Sequence, residues 1–242
     1  MCAQRVDYAI DVFRDRNQTL MASARNMRTE SDMKWKPSLI GLVVGLVSQD
    51  AVAQCVVLED REGIATPHWV RNGGTVLIEP AFEDYSYMLW DACEAWGEEL
   101  NVRCAILPMM GDIGLNAVAT RCDGNDVIIY DRVLSNSLGY EGAQAVVAHE
   151  LGHHVCGHLG STLLMRADPH REEIEADTFA GATLRRLGFG LETVFSYEGV
   201  LGDHGSASHP ARAVRLAALA RGWNDPEVAL ACIIGDEPSP GS

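Results

Sequence analysis

The run Ala148-His149-Glu150-Leu151-Gly152-His153-His154-Val155-Cys156-Gly157-His158 gathers the most chemically capable residue types in the chain. Within it, His149 and His153 stand four apart and Glu150 follows the first, an HExxH pattern. On a helix, positions i and i+4 lie one turn apart on the same face. Two imidazoles can therefore aim at one point, and zinc accepts such nitrogens at about 2.0–2.1 Å. Glu150 lies at the edge of that face, where it can take a proton from a water held by the ion. Three residues thus supply two ligands and a base.

A catalytic zinc uses a third protein ligand and keeps one position open. A third His at the HExxHxxGxxH spacing is excluded, because Cys156 stands where glycine is needed and Leu159 where His is needed. The other solution is a carboxylate from a second helix. Arg171-Glu172-Glu173-Ile174-Glu175-Ala176-Asp177 offers Glu172, Glu173 and Glu175. Glu173 and Asp177 share a helix face. If Glu173 binds the ion, Asp177 can accept a hydrogen bond from the outer nitrogen of a ligand His and fix its tautomer. Glu172 and Glu175 then point elsewhere, onto a solvated face. His154 and His158 share a neighbouring face and read as helix-surface or capping residues, with a second metal site as the competing reading. Cys156 reads as a packing or disulfide residue, and His170 and His204 as exposed helix-start and loop residues.

The elements that must position these groups follow from periodicity. Tyr85, Met88, Leu89, Ala92, Ala95 and Trp96 recur at helical steps, predicting a helix from Pro80 that Gly97 and Asn101 end. Strands are expected over 102–107, 116–122 and 126–134, with Asp123-Gly124 as turn chemistry between the last two. The HExxH helix is expected from Tyr140 to about Gly160 and carries much apolar surface, so it is central. A second helix is expected over 169–187, with Asp168 as its N-cap, Pro169 at its first position and Gly188 just past its end. Shorter helices are expected over 191–200, 210–221 and 226–234, with a glycine- and serine-containing loop at 202–208. Residues 54–79, with Gly63, Pro67, Gly73 and Gly74, read as an irregular stretch.

The chain has 242 residues, 47% of them apolar, and a net charge of −15. That is long enough for a real core, and the acidic balance argues against a nucleic-acid surface. Met33-Lys34-Trp35-Lys36-Pro37 is a short basic region, and Leu39 to Val47 an apolar run too short to span a bilayer as a helix. Ala51-Val52-Ala53 then supplies small residues before a cleavage point. The expected organisation is a non-native N-terminal extension at 1–32, a signal peptide at 33–53 and an irregular mature N-terminus at 54–79. A metallopeptidase domain at 80–234 and a disordered tail at 235–242 complete it. Cys55, Cys93, Cys104, Cys122, Cys156 and Cys232 all follow the cleavage point, which suggests disulfides in an exported chain; the sequence leaves their pairing open. The expected location is periplasmic or secreted.

Four ordered stretches, spanning roughly residues 80–222, resemble metallopeptidase family forty-eight, the HtpX-type and CAAX-prenyl-type zinc endopeptidases of the gluzincin clan. Asn116-Ala117-Val118-Ala119 is similar to the family's substrate-binding edge strand, and His149 to His153 is its HExxH. Glu173-Ile174-Glu175-Ala176-Asp177 is similar to its ExEAD motif, and Ser208-His209-Pro210 with Arg215 to its late SHPxxxxR element. The resemblance implies one zinc per chain on His149, His153 and Glu173, with Glu150 as general base and Asp177 behind the ligands. It implies that His209 stabilises the oxyanion of the tetrahedral intermediate. It implies that Arg215 holds a site carboxylate or the His209 loop. Asn116, Ala117, Val118 and Ala119 would pair with an extended substrate by strand addition. The stretch between His153 and Glu173 holds no membrane span, unlike many family members, which points to an exported branch and away from prenyl-protein processing.

The expected fold is α+β, a mainly helical zincin-type domain with a small β-sheet whose edge strand binds substrate. The expected function is a zinc-dependent endopeptidase that hydrolyses peptide bonds through a Glu-activated water, in envelope protein quality control. Its partner is a protein or peptide, with no nucleic acid and no stable membrane span. The competing reading is a zinc-bound envelope scaffold or chaperone-like binding module with little or no proteolysis. A third is a latent peptidase whose 55–80 segment lies over the metal cleft.

Overall fold

The computed structural model describes residues 54–59, 63–71, 74–159, 168–196 and 198–234. The expected extension, signal peptide and tail lie outside the described residues. The fold is α+β. Strands β1 (Gln54–Glu59), β2 (Ala65–Arg71) and β3 (Gly74–Leu77) form an antiparallel sheet in that order. Strands β4 (Glu79–Pro80), β5 (Leu107–Gly111), β6 (Ala117–Cys122) and β7 (Asn125–Asp131) form a second sheet, order β4-β5-β7-β6. In it β5 runs parallel to β7 and β6 antiparallel, so β6 is an edge. Helices α1 (Glu83–Glu94), α2 (Leu134–Val155), α3 (Pro169–Arg186), α4 (Arg212–Asn224) and α5 (Leu230–Ile234) make up the rest, with short 3-10 turns between them.

The molecule is built in layers, because successive residues of a strand face opposite ways. In β7, Ile128 and Tyr130 enter the helical core with Leu151, Val155, Phe179, Leu184 and Leu219. Val127 and Ile129 enter a second core with Trp69, Ile78 and Met109. The β1–β3 sheet therefore packs on the face of the second sheet that points away from α2, so the described strands of the 55–80 segment lie on the side opposite the helix that carries His149 and His153. Each fully buried large side chain of the helical core contributes about 1.5–3 kcal/mol.

The irregular reading of 54–79 is corrected by these strands. Gly63 has the left-handed φ of 78° that glycine favours, but the β-branched and aromatic residues between the glycines suit a pleated surface better than a loop. The strand expected over 102–107 is also displaced. Residues Asn101–Cys104 form a 3-10 turn, tied by the Cys93–Cys104 disulfide to α1, and the strand starts at Leu107. The β7 strand stops at Asp131, whose buried carboxylate accepts from the backbone N–H groups of Ile113, Gly114 and Val133. A helical segment from Leu134 precedes the expected HExxH helix and joins it across a break at Gly139, φ 71°. That helix ends at Val155 rather than near Gly160. Asp168 caps α3 as expected, accepting from the N–H groups of His170 and Arg171. The helix expected from Pro210 begins at Arg212, and residues 191–200 hold two 3-10 turns in place of one helix.

Two close approaches bring the site elements together. A Cβ on Gly152 would stand 3.0 Å from the Ala176 Cα, so α2 and α3 touch backbone to backbone at the HExxH turn. Gly181 and Gly222 do the same for α3 and α4, where a Cβ would collide with Leu219 O and Thr178 O. The other described cysteines pair as Cys55–Cys122, joining the two sheets, and Cys156–Cys232, joining the end of α2 to α5. Among the described residues, no helix is long and apolar enough to cross a membrane.

Candidate metal centre

His149 and His153 project from one face of α2 and meet Glu173, which α3 presents across the Gly152–Ala176 contact. The Nε2 atoms of the two imidazoles are 3.1 Å apart. His149 Nε2 lies 3.5 Å from Glu173 Oε2, and His153 Nε2 lies 3.5 Å from Glu173 Oε1. Ligands about 2.05 Å from a tetrahedral ion stand about 3.3 Å from one another, so the three groups fit one metal ion. Glu173 Oε2 supports this independently. It is buried and makes no hydrogen bond in the structure, although the Arg215 guanidinium stands 3.4 Å away. A buried carboxylate oxygen without a donor is costly unless a cation satisfies it. His149, His153 and Glu173 are thus a group that can hold a metal ion.

Behind the ligands, Asp177 is fully buried and accepts three hydrogen bonds. His149 Nδ1–H donates at 2.9 Å, and Arg215 donates through Nε at 2.8 Å and Nη2 at 2.9 Å. The guanidinium fork matches the carboxylate, a geometry that lysine cannot reproduce. Burial alone would raise the Asp177 pKa, but His149 and Arg215 outweigh it and hold it below the usual carboxylate range. Burial also opposes ionisation of Glu173, yet His149, His153 and Arg215 hold that carboxyl well below its ordinary value. Burial and its cationic neighbours keep His153 neutral, with its pKa well below the usual imidazole value. His149 goes the other way. Burial disfavours its charge, but Asp177 dominates and pushes it up to about 10.

Glu150 is buried beside the ligands, and its Oε2 accepts from the Ala119 backbone N–H at 2.6 Å. Burial raises its pKa, and Glu173 adds to the rise while His149 and the Ala119 N–H offset part of it. The bond also fixes the parity of β6. The Ala119 N–H points off the sheet, whereas Asn116 O accepts from Asp131 N at 2.8 Å on the β7 side. Groups alternate along an antiparallel strand, so the backbone of Ala117, Ala119 and Arg121 faces the outer edge. Val118 instead packs toward the β1–β3 sheet, and Asn116 is exposed before the strand begins.

The 202–209 loop brings His209 to the same place. Ser206 Oγ accepts from the His209 N–H at 3.0 Å, Ser206 N donates to His209 O at 2.8 Å, and His170 Nε2 donates to Ser206 O at 2.8 Å. Ser208 Oγ lies 2.8 Å from His209 Nδ1, and His209 Nε2 lies 3.6 Å from Glu173 Oε1. His209 is half-exposed, and burial with nearby Arg215 and His149 lowers its pKa. Arg215 touches Asp177, Glu173 and His149, so of the two roles implied for it, holding a site carboxylate is the one the geometry carries.

Four residues differ from their expected settings. His154 is buried and donates through Nε2 to Val127 O at 3.0 Å, docking α2 on β7 rather than facing solvent. His158 is buried too, with Nδ1 2.9 Å from His153 Nδ1 and Nε2 3.1 Å from Glu175 Oε2. Glu175 therefore faces α2, and Glu172 is buried rather than solvated. Reasoning from motif spacing also passed over Tyr130. Its hydroxyl is buried without a hydrogen-bond partner in the structure, and burial, with the Glu150 charge adding, raises its pKa well above the ordinary value. No family model matches the chain, and no curated protein or solved structure matches it.

Proposed function

We propose that this protein is a zinc-dependent endopeptidase of the exported type, resembling metallopeptidase family forty-eight. The observation that carries the reading is the conjunction of two parts. Two imidazoles and a carboxylate stand at ligand spacing, and a buried carboxylate with a raised pKa, Glu150, sits between them and the outer edge of β6. The donor set of two nitrogens and one oxygen suits zinc and leaves room for one further ligand. When bound there, zinc supplies Lewis-acid polarisation of water and of the scissile carbonyl.

The chain's own residues divide the remaining work. An extended substrate adds a strand along β6, using the outward backbone of Ala117 and Arg121 and the Ala119 carbonyl. The Ala119 N–H is committed to Glu150 Oε2 and anchors it. Glu150 Oε1 is then the oxygen that takes the proton of the attacking water and returns it to the leaving amine. With Nδ1 engaged by Ser208, His209 Nε2–H is the donor for the oxyanion. Asp177 and Arg215 hold His149 in the tautomer that leaves Nε2 free for the ion. The disulfides support an oxidising compartment, so extended or unfolded segments of exported proteins are the substrate class.

The test is Glu150→Gln in the full chain, with zinc content and cleavage of an unfolded protein substrate measured together. Zinc stays at one equivalent and cleavage falls by at least ~10³-fold. A variant that keeps both zinc and full activity overturns the mechanism. Zinc-dependent client binding, unaffected by the substitution and without cleavage by the wild type, is the outcome of the scaffold reading.

A further inference from the structure

The two ligand histidines are both held from behind, but by different means. His149 Nδ1 meets the buried carboxylate of Asp177 directly. His153 Nδ1 meets another imidazole, His158 Nδ1, at 2.9 Å, and that imidazole continues to Glu175 Oε2 at 3.1 Å. We infer that His158 and Glu175 form a positioning relay that sets the tautomer and ring orientation of His153 as a metal ligand. The inference rests on the metal reading proposed above.

The direction of each bond follows from the donor inventory. His153 faces Glu173 and His149 with Nε2, so a ligand role needs the lone pair there and the proton on Nδ1. That Nδ1–H must donate, so His158 Nδ1 must accept. A neutral His158 then carries its proton on Nε2 and donates it to Glu175. With His158 neutral and donating to Glu175, one arrangement of protons satisfies all three groups, and it is the arrangement that frees His153 Nε2 for an ion.

The placement of His158 is built into the end of α2. Cys156 is the C-cap, and Gly157 follows with φ of 75°. Gly157 N donates to His154 O at 3.2 Å and His158 N donates to His153 O at 3.0 Å. These two bonds make a Schellman motif, with Gly157 at C′ and His158 at C″. In that motif the C″ side chain folds back over the residue at C3, which here is His153. The usual apolar contact is replaced by a hydrogen bond between imidazoles, whose rings cross at 70° with centroids 5.1 Å apart. The Cys156–Cys232 disulfide and the Arg103 guanidinium, which donates to Val155 O and Cys232 O, pin the same helix end. Arg171 steadies Glu175 from 3.5 Å on α3. His158 itself is only 5% exposed, so its bonds are made away from bulk water.

Two amide substitutions separate positioning from mere packing. Asn places its carbonyl oxygen near the former Nδ1 and can still accept from His153. Gln places its amide near the former Nε2 and reaches Glu175 but not His153. Zinc dissociation constants are measured by chelator competition on the full chain for wild type, His158→Leu, His158→Asn, His158→Gln and Glu175→Gln. Visible spectra of the cobalt-loaded proteins report ligand geometry. Leu and Gln are expected to weaken zinc about 10–100-fold and shift the cobalt bands. Asn is expected to stay within about threefold of wild type, and Glu175→Gln to weaken zinc by a few fold. Equal affinity for all variants, or equal losses for Asn and Gln in folded protein, overturns the relay alone. Failure of wild type to bind zinc overturns the metal reading beneath it. If His158→Leu does not fold, the Asn–Gln pair and the partly exposed Glu175 decide the matter.

Discussion

Asp177→Asn separates the electrostatic part of the site from its shape. The carboxylate is fully buried and accepts from three donors, His149 Nδ1, Arg215 Nε and Arg215 Nη2, at 2.8–2.9 Å. An amide of the same outline has one oxygen to accept with and turns an NH₂ toward a donor. The guanidinium loses its two short charge-paired bonds and keeps the longer contact to Glu173 at 3.4 Å. Breaking a buried pair in this way costs about 3–5 kcal/mol. His149 also loses the acceptor that keeps its proton on Nδ1, and such losses weaken metal binding about 10–100-fold, or about 1.4–2.7 kcal/mol. Urea denaturation of metal-free protein reads the first effect, and chelator competition the second. Arg215→Met serves as the partner change. It leaves Asp177 accepting from His149, so it is expected to destabilise comparably while weakening zinc less. The double variant removes both buried charges and is expected to lose less than the sum of the single losses. An Asp177→Asn protein within about 1 kcal/mol of wild type and within twofold in zinc affinity refutes the argument.

Two further expectations concern the metal-free protein and the helix contact. His149 is pushed up to about 10 from an ordinary 6.5, so the stability it contributes is fully present below pH 6.5 and is lost as pH rises to about 10. Urea midpoints of chelator-treated protein should therefore fall across that window, and the fall should shrink in Asp177→Asn; midpoints that rise, or an undiminished fall in the variant, contradict the assignment. Gly222→Val forces a side chain against Thr178 O where α3 and α4 touch, and it is expected to cost at least about 1–3 kcal/mol in thermal denaturation and to weaken zinc by moving Arg215. A neutral result would mean that the helices do not approach as closely as described.

The parts of the site that were legible in the sequence are those set by helical period. His149, Glu150 and His153 share one turn, and Glu173 and Asp177 another, so their relation needed only 3.6 residues per turn. That α2 and α3 meet at Gly152 is tertiary. The spacing alone could not choose Glu173 over Glu172 or Glu175, whereas the ExEAD resemblance does. His209 and Arg215 entered through the same resemblance, since a loop and a distant helix carry no local signal of where they point. The β1–β3 sheet was hidden by its glycines and Pro67, which dominate a turn-based reading although the strands gain their stability from packing on Val118 and Ile129. His158 takes the capping place that was one of its expected roles, but its burial and side-chain partners were not foreseen. A glycine at 157 after a helix end is a C′ signal, and counting back from it sets residue 158 over 153. That count was available from sequence, but the link to Glu175 needed the helix packing.

X-ray absorption at the zinc edge of the loaded full chain tests the centre most directly. One zinc per chain is expected, with two imidazoles and a carboxylate among light-atom ligands at about 2.0–2.2 Å and no sulfur. In His153→Ala one imidazole contribution should vanish. Sulfur scattering at about 2.3 Å, or an imidazole count that His153→Ala leaves unchanged, would contradict it.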